Sequence, residues 1–136
     1  MSMRTSTRIT AIALLFFNAL SAMYGGGSLI YDPSGDFLQM PIELLEHTPF
    51  RSYLIPGMIL FAVNGVFNLW VGIIGLRRNR QFPRLTMLCG AVLIIWLTIQ
   101  IIMIRDFFVY AHVPYYLVGL LLALVGFKLS LQNRSS

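Results

Sequence analysis

Long apolar runs alternate with short polar segments along this chain. Residues 9–30, 53–76, 85–104 and 113–127 contain no Asp, Glu, Lys, Arg or His. A helix needs about 20 residues, at 1.5 Å rise each, to cross a ~30 Å hydrocarbon core. The first three runs reach that length. The fourth reaches it at about residue 131 if Lys128 snorkels its ammonium to the interface. The pattern therefore predicts an all-α polytopic membrane protein. It forms one domain over 1–136, with spans at about 9–30, 53–76, 85–104 and 113–131. Sequential spans joined by short connections run antiparallel, so an up-down four-helix transmembrane bundle is expected. A cleaved signal peptide is the competing reading of the first run, on the strength of Arg4, Arg8 and the small residues Ala19 and Ser21. The apolar stretch is longer than a signal core, which favours a retained span.

Composition agrees with that pattern. Of the 136 residues, 57% are hydrophobic and 11% charged, against about a quarter charged in soluble domains. The distribution of charge adds an orientation. Arg4, Arg8, Arg77, Arg78, Arg80, Arg84, Lys128 and Arg134 flank one side of the spans. Asp32, Asp36, Glu43, Glu46 and Asp106 lie on the other, with Arg51 and Arg105. The positive-inside rule puts both termini in the cytoplasm. The net charge of +5 follows from that topology and from contact with anionic lipid. "RRNRQFPR" is then a topology determinant and no nucleic-acid partner is implied. The single cysteine, Cys89, excludes an intramolecular thiol–disulfide exchange site, which needs two thiols.

Polar residues inside the spans are few. Asn18, Asn64, Asn68 and Gln100 are the amides well within them and are expected to form an interhelical polar layer. Their bland role is hydrogen-bonded glue between helices; their functional role is a path for a small solute or ion. Glue is favoured because membrane pathways usually carry ionisable groups. Small residues mark close-packing faces: Ala11, Ala22 and Gly25 with Asn18; Gly57, Gly72 and Gly75 with Asn64 and Asn68; Gly119, Ala123 and Gly126. At Gly25-Gly26-Gly27 either the helix ends or another backbone lies against it. Pro56 predicts a kink in the second span.

The outer segment, about 31–52, is polar and dense in turn signals. Asp32-Pro33-Ser34-Gly35 has the residue order of a type I turn. "MPIELLEH" predicts a short interfacial helix with Pro41 at its first position. Thr48-Pro49 predicts the N-cap and first residue of the second long helix. Tyr31, Tyr53, Tyr110, Tyr115 and Tyr116 fall at one level, as an aromatic belt does. The segment is expected to form an ordered cap on the bundle.

"YDPSGDFLQMP", "TPFRSYLIPG" and "VNG" resemble a recurring segment of small uncharacterised bacterial integral membrane proteins with four spans. The resemblance covers about residues 25–65. It implies a multi-pass protein of the bacterial cytoplasmic (inner) membrane with an ordered outer loop, and it brings no activity with it.

Candidate chemistry gathers on the outer side. Glu43, Glu46 and His47 share a helical face, and His112 and Asp106 in the other outer loop are within conceivable reach of them. Carboxylate and imidazole at that spacing are metal-ligand types. "ELLEH" lacks the paired histidines of a zinc-hydrolase helix, so no metal or other cofactor is expected. Arg51, Arg105 and Asp106 are expected to tie the outer loops by ion pairing, with anion or lipid-phosphate binding as the alternative. Ser28, Ser34 and Ser52 have no adjacent base, and "YGGGSLI" lacks the lysine of a phosphate loop. The preferred reading is a non-enzymatic accessory protein that binds membrane lipids and a membrane partner, or a second copy, through the cap and the helix faces. A small oligomeric channel or carrier through the amide layer is the first alternative. A membrane enzyme at the outer interface is the second.

Overall fold

The computed structural model describes residues 3–46, 48–105 and 109–134. Four long helices make up almost all of it: α1 (Met3–Tyr31), α2 (Leu54–Leu76), α3 (Phe82–Ile104) and α4 (Val109–Arg134). All four are long and apolar enough to cross a membrane. There is no strand among the described residues. The closest packing is within two antiparallel hairpins, α1 with α2 and α3 with α4, and α1 against α4 joins them.

The connection between α2 and α3 turns tightly through a helix-end motif. Arg78 takes the left-handed conformation (φ 56°). Its N–H donates to the Gly75 carbonyl at 3.2 Å, and the Asn79 N–H donates to the Ile74 carbonyl at 3.1 Å. This Schellman pattern satisfies carbonyls that the end of a helix leaves open. The Arg8 guanidinium on α1 also donates to the Gly75 carbonyl, at 3.2 Å. Asn79 Oδ1 then accepts from the Gln81 N–H at 2.8 Å, and Pro83 sits in the first turn of α3, where a missing N–H is harmless.

The core is narrow. Leu15, Val71, Cys89, Leu93 and Leu122 lie at its centre. Phe17, Leu20, Trp70, Ile95, Ile102, Leu117 and Leu124 point outwards and are exposed. Only 28–39% of each span's most apolar window is buried, so most of the apolar surface is left to lipid, as a bundle solvated by acyl chains requires.

Backbones approach closely at two crossings. α1 stays helical through Gly25, Gly26 and Gly27 to Tyr31. A Cβ on Gly26 would stand 2.6 Å from the Gly57 carbonyl oxygen and 2.7 Å from the Phe61 nitrogen. Of the two readings of this triplet, the structure thus supports backbone contact rather than helix termination. The α3–α4 hairpin repeats the device: a Cβ on Gly90 would strike the Gly119 carbonyl and the Ala123 nitrogen.

Two expectations for the second span need correction. It starts at Leu54 rather than Pro49. Thr48 forms a local turn instead of a helix cap: its hydroxyl donates to the Leu45 carbonyl (2.9 Å) and accepts from the Phe50 N–H (3.2 Å). The late start moves Pro56 into the first turn of α2, where its lost N–H has no helical partner to forgo. The irregularity lies further on, where residues Leu60–Val66 are π-helical and the Phe67 N–H donates to Ala62, five residues back.

Candidate functional site

Among the described residues, polar groups gather in the cap between α1 and α2, in a cluster of buried asparagines, and at a His112–Gln100 pair.

The cap is organised around Tyr53, which is only 4% exposed. Its ring packs with Leu29 and Leu45, flanked by Leu38, Met40 and Phe50. Its hydroxyl donates to the Pro41 carbonyl at 2.7 Å and its N–H to the Pro33 carbonyl at 2.8 Å. One residue at the mouth of α2 therefore holds both halves of the segment. The predicted turn is present, with the Gly35 N–H donating to the Asp32 carbonyl at 3.1 Å. Gly35 has φ +85°, and a side chain there would meet the Tyr53 ring at 2.8 Å, so the turn needs glycine on both counts.

Asp32 secures this turn. Its Oδ1 accepts from the Ser34 hydroxyl at 2.7 Å and the Ser34 N–H at 3.3 Å. Its Oδ2 accepts from the Phe37 N–H at 3.1 Å. The Ser34 hydroxyl holds the carboxyl below its ordinary value of 3.8; desolvation opposes it, and the Ser34 and Phe37 backbone N–H groups add to the lowering. Bonds to the charged form favour it. In place of the interfacial helix expected over "MPIELLEH" there is a single 3-10 turn, Ile42–Leu45, and Pro41 precedes it in an extended conformation instead of opening it; a second 3-10 turn, Asp36–Leu38, lies before that segment. Tyr31 and Phe37 meet edge to face, with ring centroids 5.9 Å apart.

Among the described residues the charged candidates do not assemble into one site. Asp36, Glu43, Glu46, Arg51 and Arg105 are exposed and form no ion pair among the described residues. The expected tie between outer loops through Arg51 and Arg105 is therefore not found among these residues, while Asp106 and His47 lie outside them. No group of three His, Cys, Asp or Glu side chains converges among the described residues. His112 is not in a loop: it lies on α4, is 3% exposed, and its Nε2 is 3.2 Å from Gln100 Oε1.

Of the four amides expected to form a layer, Gln100 pairs with His112 between α3 and α4. The other three amides do gather between α1 and α2. Asn18, Asn64 and Asn68 are at most 1% exposed. Asn18 Nδ2 donates to Asn68 Oδ1 at 3.2 Å, and Asn68 Nδ2 donates to the Asn64 carbonyl at 2.9 Å. Asn64 lies inside the π-helical stretch.

The Tyr53 pivot and the π-helical stretch escape sequence reasoning. Tyr53 reads as one of five belt tyrosines, and its burial depends on a cap that folds over it. The "VNG" segment carries no sign of its extra-wide turn. Compared with protein-family models, curated proteins and solved structures, the chain matches none.

Proposed function

We propose that this is a non-enzymatic accessory protein of the bacterial cytoplasmic membrane, with both termini inside, that uses its outer cap to bind a membrane partner. The observation that carries the reading is a cap folded on its own backbone bonds and on Tyr53, with Asp36, Glu43, Glu46 and Arg51 left exposed. Charges that hold a fold together are paired inside it. These are left exposed on the same segment that carries the exposed aromatic pair Tyr31 and Phe37. Such a mixed surface suits a protein contact whose register is set by charge.

Conduction through the amides has less support. Asn18 and Asn68 bond to each other across the α1–α2 contact, and Gln100 is engaged by His112.

The test is site-specific photo-crosslinking in native membranes from probes at Phe37 and Ile42, which are both exposed. A discrete protein adduct is expected from both positions. It should fade when Glu43→Lys and Glu46→Lys are introduced together. Adducts to lipid alone at both positions would overturn the proposal.

A further inference from the structure

The interior of the α1–α2 hairpin contains a polar group that the packing does not account for. Asn64 is 0% exposed, and among the described residues neither its Oδ1 nor its Nδ2 has a hydrogen-bond partner. A buried amide without partners is costly, and more so in a bundle surrounded by lipid. The nearby amides are already engaged. Asn18 Nδ2 donates to Asn68 Oδ1, and Asn68 Nδ2 donates to the backbone carbonyl of Asn64 rather than to its side chain. The backbone here is π-helical, a rare form found mostly as single-turn bulges and frequently at functional sites.

We infer that the Asn64 side chain is a binding site for one buried water molecule, which donates to Oδ1 and accepts from Nδ2. The chemistry selects the ligand. Asn64 presents one acceptor and one donor group, so its occupant must both donate and accept. The spans contain no Asp, Glu, Lys or Arg between residues 9–30 and 53–76, so nothing at this depth compensates an ion. A lipid hydroxyl does not reach a fully buried side chain. Water is the smallest neutral molecule that satisfies both atoms, and buried waters typically serve polar groups the protein leaves unpaired. The role is distinct from the cap's binding of a partner and stands or falls independently of it.

The experiment is water-edited solid-state NMR on the unaltered protein, labelled with 13C,15N-asparagine and 13C-valine, in deuterated lipid bilayers. Val63 precedes Asn64, so the backbone link from Val63 identifies its spin system with no substitution that risks misfolding. At short mixing times the Asn64 side-chain amide should receive magnetisation from water several-fold faster than that of Asn18 or Asn68. Contacts only to protein groups would overturn the site. Contacts to carbon-bound protons of a retained small molecule would overturn water as its occupant.

Discussion

Asp32 is where one side chain has the most structural consequence for the cap. Its two oxygens gather Ser34 and Phe37 into the turn, and the bonds are made to the charged form. Its folded pKa is lowered, so linkage gives stability that is present above the ordinary value of 3.8 and lost as pH falls through the folded value. The Ser34 and Phe37 amide resonances should therefore shift with a midpoint below 3.8, and Asp32→Asn should abolish that shift. A midpoint at or above the ordinary value would refute the arrangement. The turn is legible in the sequence because Asp, Pro and Gly each act locally, through side-chain length, a fixed φ and a permitted positive φ. Tyr53 is not legible in the same way. Its partners Pro33 and Pro41 lie 20 and 12 positions earlier, and nothing local announces those bonds.

At the scale of elements, the existence of each helix follows from the apolar runs, whereas how two helices meet depends on which glycine faces the neighbour. Three adjacent glycines on α1 separate those effects. A Cβ on Gly27 meets only the Phe61 ring, at 3.7 Å, an ordinary contact. Gly27→Ala should stabilise the helix by up to about 1 kcal/mol. A Cβ on Gly26 meets α2 backbone within 3 Å at three atoms, and backbone cannot rotate aside. Gly26→Ala should force the helices apart at a cost of about 1–3 kcal/mol. Reversible unfolding in bicelles measures both, and equal effects at the two positions would contradict the close crossing. The run of glycines signals that something unusual happens. It does not say which of the three does it, because the helical phase at which α1 meets α2 is a tertiary property. The π-helical stretch is hidden for the same reason: it adjusts α2 where Asn64 turns inward, and no residue type marks that adjustment.

At the scale of the whole molecule, the bundle itself is indifferent to which end faces the cytoplasm. Two antiparallel hairpins packed through α1 and α4 can sit in a bilayer either way up with the same buried surface. Orientation must come from what the lipid core does not see. Arg77, Arg78 and Arg80 crowd the α2–α3 turn and are exposed, while the carboxylates of the cap stand at the opposite end. Membrane insertion retains short basic loops on the cytoplasmic side, so the cap should face out. Cysteine labelling gives a direct test, because the native Cys89 is 0% exposed and contributes little background. Ser34→Cys, at an exposed turn position, should react with an impermeant maleimide added to intact cells. Gln81→Cys, exposed at the opposite end, should react only after permeabilisation. The reverse pattern would leave the helical fold intact yet place the cap in the cytoplasm. A partner bound through the cap would then have to be a cytoplasmic one or lie on that face of the membrane. The charge asymmetry of the loops thus decides more about the protein's role than the packing of its helices does.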